Sequence, residues 1–290
     1  MKQEKRIFAL GFFDGVHLGH QALLKACGHL ADRMGCDSGV VTFASHPDAL
    51  VAGKAPKLLN TMQERRRLLF GAQVLVLPFD EHLRNMPWQD FLEMLLEKDA
   101  CGFVCGADFR FGRMGEGNAE KLALFCKDRG LPWAIVPEQT LDGVRISSTH
   151  IRQLIEAGKM EEAAKFLGRP HSLSGLVVSG RQLGRTIGVP TANIPIPDEV
   201  VVPRLGVYAS ECLVDGIRYK AVTNIGSRPT VGGHQTRAES WLLDFDGDLY
   251  GKHMTVLLHQ FLRPEQKFDS LEELKAQIQI DAIAAREALR

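Results

Sequence analysis

The sequence predicts an α/β fold in two parts: a parallel sheet covered by helices, then an antiparallel β-barrel or sandwich that ends in a helix. Over the first half, apolar strand-like runs alternate with helix-like patterns, which is typical of βαβ units and a parallel sheet. After about residue 168, short β-rich runs are separated by glycine and proline, as in compact antiparallel sheets. Residues 270–289 carry an apolar stripe at helical spacing, which predicts a terminal helix.

Each element of the first half is predicted from a local pattern of apolar residues. The predicted strands are 7–10, 40–43, 73–78, 102–106 and 133–136, and the predicted helices are 22–34, 62–70, 87–96 and 118–127. Residues 149–166 read as two short helices that bridge the halves. We therefore expect two domains, 1–165 and 166–290, which suits a chain of this length.

The second half is predicted to be mostly strands. They are expected near 175–179, 207–209, 219–224, 241–243 and 254–258. Ser270, with Glu273 three residues later, forms a capping-box pattern that predicts the start of the terminal helix.

Composition excludes several classes of protein. Lys plus Arg and Asp plus Glu are balanced at 35 each, whereas nucleic-acid binders usually carry a basic excess. No apolar run approaches the ~18 residues of a membrane span, and the first residues lack the apolar stretch of a secretion signal. The six cysteines form no Cys-x-x-Cys pair, which favours free thiols in a reducing compartment over a zinc site. We expect a cytoplasmic protein with small-molecule partners; oligomeric state is not readable.

A glycine-rich turn between the first strand and the first helix is the most informative segment. His17 and His20, at the helix start, are the candidate catalytic residues. Gly11, Asp14 and Gly15, which precede them, are candidate nucleotide-binding residues. Unpaired amides at a helix N-terminus bind phosphate, and two imidazoles there can stabilise charge developing on a nucleotide α-phosphate. A plain strand–helix turn with two surface histidines is the alternative. The order His-x-Gly-His after a strand favours the nucleotide site.

A second cluster in the first half contains hydroxyls and a guanidinium. Ser148, Thr149 and Arg152 surround a predicted helix start, which alone indicates an ordinary N-cap. Together with the histidine turn, the cluster favours a phosphate clamp.

Between these two segments lies a loop in which charged and aromatic residues alternate. Asp108 and Phe109 follow a strand that ends in glycine. This loop has two interpretations, which are about equally favoured. It forms a pocket for a flat ring, or it is a loop with one salt bridge whose aromatic residues belong to the core.

The second half has its own candidate phosphate site. Glycines let backbone amides approach phosphates closely, although this segment lacks the ending of a Walker A motif. The candidate nucleotide-binding residues are Gly180, Gly184, Arg185 and Gly188. Thr191 and Asn193 offer oxygen ligands suited to Mg²⁺. Glycines alone would favour an empty turn-rich loop.

Glu239 begins an apolar strand and is the candidate general base of the second half. A carboxylate there could accept a proton from a substrate hydroxyl. A solvated glutamate at a strand end is the commoner situation, but the neighbouring motifs favour the base.

The histidine turn and the Ile-Ser-Ser-Thr-x-x-Arg segment at 146–152 resemble the two signatures of nucleotidyltransferases. The second half contains Glu239 and the segments PTAN at 190–193, GVY at 206–208, NIGSRPT at 224–230, LYG at 249–251 and FLRPEQKF at 261–268. Together they resemble the bacterial riboflavin kinase module. The first half, with GADFRFG at 106–112, resembles the FMN adenylyltransferase module. The chain from about residue 6 to 286 therefore resembles the bifunctional riboflavin kinase/FAD synthetases.

This resemblance implies a Rossmann-like nucleotidyltransferase domain followed by a kinase barrel. It implies that the loop 180–188 binds Mg-ATP, that Thr191 and Asn193 lie near the metal, and that Glu239 accepts the proton of the ribityl 5′-hydroxyl. In the first domain it implies ATP near the histidine turn and the 148–152 cluster, and FMN beside Asp108 and Phe109. Arg263 and the C-terminal helix would contact the kinase flavin.

Three positions differ from the usual family residues. Phe12 lies where the family often has Asn, His150 lies where it often has Arg, and Trp241 lies where it often has His. None of them is a residue to which the resemblance assigns chemistry.

Two other functions remain open at this point. One is a nucleotidyltransferase with another acceptor, such as pantetheine phosphate or a phosphocholine-type alcohol, fused to a non-catalytic barrel. The other is a barrel that only senses flavin or RNA. Glu239 and the PTAN segment disfavour the first, and zero net charge disfavours RNA.

Overall fold

The computed structural model describes residues 5–51, 55–179, 188–230 and 233–290. Contacts divide the chain into two compact units, one of Met1–Lys57 with Met62–Ser147, the other of Leu58–Thr61 with Ser148–Arg290. The two short helices predicted around 149–166 group with the second unit. A domain boundary near residue 165 remains our proposal for the separation of the two activities.

The first unit contains the predicted parallel sheet. Its order is β3-β2-β1-β4-β5, and every neighbouring pair is parallel. The strands are β1 (Arg6–Leu10), β2 (Asp37–Phe43), β3 (Gln73–Leu77), β4 (Ala100–Gly106) and β5 (Trp133–Val136). The helices are α1 (Leu18–Met34), α2 (Pro47–Val51), α3 (Met62–Leu68), α4 (Glu81–Asn85), α5 (Trp88–Glu97) and α6 (Ala119–Asp128). A small hairpin, β6 (Thr140–Leu141) with β7 (Val144–Arg145), follows.

Both faces of this sheet are buried because side chains alternate along each strand. In β1, Phe8 and Leu10 belong to one apolar cluster, and Ile7 and Ala9 belong to another. Helices cover both clusters, so polar side chains are left to the ends of the strands. The chemistry of this unit is therefore expected at the carboxyl edge of the sheet.

The second unit begins with the helices α7 (Ser148–Glu156) and α8 (Met160–Leu167), and continues as an antiparallel sheet of order β8-β13-β10-β11-β12-β9. Its strands are β8 (His171–Leu176), β9 (Ala192–Pro195), β10 (Gly206–Val214), β11 (Ile217–Thr230), β12 (Gly233–Leu242) and β13 (His253–Arg263). A bridge between Val178 and Asn193 joins its two ends, so the sheet is a nearly closed barrel.

Gly175 allows the two ends of the barrel to approach each other. A Cβ at this position would lie 2.5 Å from the Cγ2 of Ile194 on β9, which is far inside van der Waals contact. Barrel closure thus depends on a residue without a side chain.

The terminal helix, α9 (Leu271–Ala288), starts where the capping pattern predicts. Ser270 Oγ accepts a hydrogen bond from the Glu273 amide at 3.2 Å, and Glu273 accepts one from the Asp269 amide. The helix packs on β10, β11 and β13 through Ala282 and Ala285. Among the described residues, no helix is both long and apolar enough to cross a bilayer.

Candidate functional site

The histidine turn lies at the carboxyl edge of the parallel sheet, directly after β1. The loop that carries Asp108 and Phe109 follows β4, and β1 and β4 are neighbours. The order of the strands reverses between them, since β2 and β3 extend to one side and β5 to the other. Crevices form at such points in open parallel sheets. The topology thus brings both predicted segments to one crevice.

The backbone of the turn is strained. Phe13, Gly15 and Val16 all have positive φ, at 59°, 77° and 41°, and only glycine adopts such values readily. Each of the other two costs on the order of 1–3 kcal/mol. The fully buried side chains of Phe13 and Val16 in the apolar cluster behind the sheet stabilise the turn against this cost.

The two histidines stack on each other at the start of α1. Their ring centroids are 3.7 Å apart and the ring planes are nearly parallel. His17 Nδ1 accepts a hydrogen bond from the His20 amide at 3.3 Å. His17 is thus the N-cap of α1. Because its Nδ1 accepts, the proton of neutral His17 lies on Nε2. This hydrogen bond fixes the His17 ring at the helix start, a position where anions bind.

Gly19 and Gly11 make room for aromatic rings. A Cβ on Gly19 would lie 3.2 Å from Cε1 and Nδ1 of His17, and one on Gly11 would lie 3.1 Å from the Phe13 ring. Both contacts are tighter than ordinary packing. The glycine inside His-x-Gly-His therefore allows the stacked arrangement, and the neighbouring Asp14 is buried in the same turn.

Asp108 and Phe109 point to different surroundings. Asp108 is exposed and forms a short salt bridge with Arg145, which also pairs with Glu138 at 3.0 Å. Phe109 stacks on Phe111 with 5.6 Å between ring centroids. Each interpretation of this loop has some support: the salt bridge exists and Phe111 is a buried core residue, whereas Phe109 is only partly buried. Sequence reasoning missed Arg145, which no local motif marks.

Ser148 and Thr149 are the first residues of α7, and Arg152 lies one turn further on the face of Ser148. The amides and two hydroxyls of a helix start form a site suited to phosphate, and the guanidinium adds positive charge. By contacts α7 belongs to the second unit, although the sequence assigned it to the nucleotidyltransferase domain.

In the barrel, strand register brings three polar side chains into one row. Glu239 on β12 pairs with Asn193 on β9 and with Asn224 on β11. Thr191 Oγ1 donates a 2.7 Å hydrogen bond to Glu239 Oε1. The predicted base and both predicted metal ligands therefore lie together, and Asn224 is an addition that the sequence did not mark individually.

Asn193 has an unsatisfied oxygen in this row. The residue is 2% exposed, and its Oδ1 has no hydrogen-bond partner among the described residues. A buried polar atom without a partner is costly. Asn193 Oδ1 and the Thr191 hydroxyl together provide the hard oxygen ligands that Mg²⁺ prefers. The residues present thus fit the expected metal.

Two cavities of the barrel meet at Thr191. One, of about 210 Å³, is lined by Pro190, Thr191 and Asn193 and by the segment 245–250. The other, of about 310 Å³, is lined by Thr191, Glu239 and Trp241 with apolar side chains of α9. A donor in the first cavity and an acceptor in the second would approach each other beside the threonine and the carboxylate.

Arg263 lines the larger cavity, but its guanidinium is already paired. Its Nε and Nη2 donate to the two carboxylate oxygens of Asp281 at 2.9 and 2.7 Å, and Asp281 is almost fully buried on α9. Such bidentate pairs have fixed geometry. The pair connects α9 to β13 and shapes the cavity wall.

The glycine-rich loop is described only at its end. Gly180, Gly184 and Arg185 lie outside the described residues. Gly188 is exposed with φ of 78°, and a Cβ there would touch nothing within 4 Å. Its backbone conformation, rather than crowding, requires glycine.

Comparison with known proteins assigns the two parts of the chain to two family models. The riboflavin kinase family model matches residues 167–289, and the FAD synthetase model matches residues 1–150. Bifunctional riboflavin kinase/FMN adenylyltransferases are similar over nearly the whole chain. That of Escherichia coli K12 is 41% identical, with 98% of this chain and 93% of the relative covered. That of Listeria monocytogenes is 36% identical, with 95% and 90% covered.

A solved structure has the same fold. It is a Streptococcus pneumoniae protein described as a macrolide-efflux protein, with TM-score 0.87 and 32% identity, covering 98% of this chain and 94% of the other. That description concerns the Streptococcus protein. Both family models and the curated relatives name flavin enzymes instead.

Proposed function

The chain belongs to the family of bifunctional riboflavin kinase/FMN adenylyltransferases, and on this premise we propose the residues that perform its two reactions. The enzyme phosphorylates riboflavin to FMN and adenylylates FMN to FAD. The observation that best supports separate sites is the row of Asn193, Glu239 and Asn224 in the barrel, which is independent of the histidine turn. Riboflavin, FMN and ATP are the substrates.

In the kinase reaction, Glu239 accepts the proton of the ribityl 5′-hydroxyl as its oxygen attacks the γ-phosphorus of ATP. ADP leaves, and FMN carries the new phosphate ester. The 2.7 Å hydrogen bond from Thr191 orients the carboxylate. A general base of this kind contributes about 100- to 10,000-fold.

We assign the metal to Thr191 and Asn193. Bound Mg²⁺ would neutralise charge on the ATP phosphates. The partnerless Oδ1 of Asn193 supports this assignment. The backbone of the loop that includes Gly180, Gly184, Arg185 and Gly188 is proposed to hold the phosphates.

The riboflavin ring is assigned to the larger cavity. Trp241 and the apolar side chains of α9 offer flat, dry surface, which suits an isoalloxazine. Arg263 contributes there through its ion pair with Asp281, which holds α9 in place.

In the adenylyl transfer, a phosphate oxygen of FMN attacks the α-phosphorus of ATP and pyrophosphate leaves. His17 and His20 stabilise the charge that develops on the α-phosphate, and the amides at the start of α1 add partial positive charge. Gly11, Asp14 and Gly15 form the turn that directs them. No covalent intermediate is required, because positioning and charge are sufficient.

Ser148, Thr149 and Arg152 are proposed to hold the ATP phosphates of the same reaction. Asp108 and Phe109 are proposed to hold FMN; the partly buried ring of Phe109, which stacks on the buried Phe111, supports contact with the flavin ring. On binding, Asp108 would exchange its salt bridge with Arg145 for a flavin contact.

We also propose a cytoplasmic location and only small-molecule partners. The six cysteines are free thiols, which supports a reducing compartment. The zero net charge supports the absence of a nucleic-acid partner.

One assay tests these roles. The full chain is incubated with ATP and Mg²⁺ and either riboflavin or FMN, and the flavins are separated by chromatography. We expect FMN and FAD from riboflavin, and loss of both products when EDTA removes the metal. In His20→Ala we expect FMN to accumulate without FAD. FAD formation at the normal rate in His20→Ala would refute the role of the histidine turn.

A further inference from the structure

Arg65 is a buried arginine with no role in the reactions described so far. It lies in the middle of α3 and is fully buried, whereas its neighbours Arg66 and Arg67 are exposed. Buried guanidinium groups are rare because removing the charge from water is costly. An apolar side chain would fill this space at a lower cost, so packing alone does not account for the arginine.

The Arg65 side chain is connected to the histidine turn by a chain of hydrogen bonds. Its Nη1 donates to Thr42 Oγ1 at 3.4 Å and to the Phe43 carbonyl at 3.3 Å. Thr42, at the end of β2, donates in turn to the Phe12 carbonyl at 2.8 Å. The guanidinium carbon also lies 4.1 Å from the centre of the Phe12 ring, a favourable cation–π geometry. Both the backbone and the side chain of Phe12 are thus held.

The charge of Arg65 is influenced by its burial and by Asp14. Burial lowers the pKa of Arg65, and the negative charge of Asp14 raises it. A guanidinium keeps its charge even when buried. Arg65 contacts the turn at Phe12, directly before Phe13.

Phe13 is the first residue of the turn with strained backbone. A strained segment keeps its conformation only if its surroundings fix it. The side chain of Phe13 is fixed by the apolar core, and the preceding residue, Phe12, is fixed by Thr42 and Arg65. The direction in which the chain reaches His17 and His20 depends on this fixation.

We infer that Arg65 and Thr42 are positioning residues for adenylyl transfer: they hold Phe12, at the start of the strained turn, in the conformation that places His17 and His20 for the reaction. They touch neither histidine, and they act through the turn. This inference rests on the proposed role of the two histidines.

The test compares single substitutions in the full chain, with FMN adenylylation measured over ranges of ATP and FMN. Thr42→Val removes one hydroxyl at constant shape, and we expect kcat to fall about tenfold with the KM for ATP within about twofold. For Arg65→Met we expect a fall of about 100-fold, as for a misplacement of about 1 Å. Arg65→Lys retains the charge but loses the flat fork, so its kcat is expected between those of Arg65→Met and the unchanged protein.

Arg66→Met is the matched control, since it removes an exposed arginine from the same helix, and it is expected to retain full activity. Riboflavin phosphorylation in each sample is expected to stay unchanged. A normal kcat in Thr42→Val would overturn the inference, and this result is decisive even if Arg65→Met fails to fold. A rise in KM at constant kcat would overturn it as well, because it indicates a binding role.

The inference and the proposed function can fail separately. If His20→Ala keeps its adenylylation rate, the assignment of the histidines is wrong, and the positioning role falls with it. If His20→Ala is inactive while Thr42→Val is fully active, only the positioning role is refuted.

Discussion

The two units bind the same cosubstrate, ATP, with different chemistry. In the parallel-sheet unit the candidate groups are two stacked imidazoles and the amides of a helix start, on a strained turn. In the barrel they are a carboxylate, a hydroxyl and an amide oxygen, placed by the register of β9, β11 and β12. The first set is proposed to stabilise negative charge, whereas the second is proposed to accept a proton and bind a metal.

This difference matches the acceptors. FMN presents a phosphate that is already an anion, so its attack on the α-phosphorus requires charge stabilisation and no base. Riboflavin presents a hydroxyl, whose proton must be removed during the attack. The acceptor, rather than the nucleotide, therefore accounts for the different side chains proposed for each unit.

Glu239→Gln should produce the largest effect and tests the comparison directly. The amide keeps the shape and can still accept the Thr191 hydrogen bond, but it cannot accept the substrate proton. We expect riboflavin phosphorylation to fall about 1,000-fold, with FMN adenylylation unchanged, measured as separate initial rates. The control is Glu211→Gln, which changes a carboxylate on β10 that pairs with His259. Equal loss of both activities in Glu239→Gln would contradict separate sites.

Arg152→Ala tests which reaction α7 serves, since contacts place that helix with the barrel. Loss of a charge-assisted phosphate contact worth about 2 kcal/mol is expected to slow FMN adenylylation about 30-fold and to leave the kinase rate intact. Gln153→Ala, at the next and exposed position, is the control. A slower kinase reaction would transfer the clamp to the barrel site.

Gly19→Ala should have a smaller effect on the parallel-sheet site. The new methyl group would lie 3.2 Å from the His17 ring, so the ring must move by a few tenths of an ångström. We expect adenylylation to slow about tenfold. Gly28→Ala is the matched control on the same helix, because a Cβ there meets nothing within 4 Å. Equal rates in both variants would show that the stacking of the histidines is not required.

The last prediction concerns stability of the barrel alone. Burial, and secondly the charge of Arg169, lower the pKa of His171 on β8 from 6.5 to about 3. As the pH falls, the unfolded chain therefore binds this proton before the folded chain does. The stability that the neutral His171 contributes to the folded barrel is present above pH 6.5 and is lost as the pH falls towards 3. At pH 5 the loss is about 2 kcal/mol.

Urea unfolding between pH 8 and pH 4 measures this loss. In His171→Asn the free energy of unfolding of the barrel should fall less steeply with acid than in the unchanged protein. Identical slopes in the two proteins would contradict the assignment.

Local patterns were sufficient to predict most elements of both units. The strands of the parallel sheet are continuous apolar runs, because both faces are buried, and the capping pair at Ser270 and Glu273 is a local motif. The predicted parallel sheet, antiparallel barrel and terminal helix are confirmed. Short elements without a periodic pattern, such as α4 and the β6–β7 hairpin, were missed.

The partners of residues far apart in the chain could not be predicted from the residues alone. Alternation along β12 indicates the face of Glu239, but not that Asn193 and Asn224 pair with it, since register depends on the whole barrel. Arg65 stands within three successive arginines, which locally indicate a solvated helix face. Only tertiary packing reveals that it alone is buried against the histidine turn.

The most direct test of the account is calorimetric titration of the full chain with a non-hydrolysable ATP analogue, in the presence of Mg²⁺ and flavin. Two independent sites predict two analogue molecules bound per chain, and one in a variant that lacks either site. A stoichiometry of one for the unchanged protein would contradict the account.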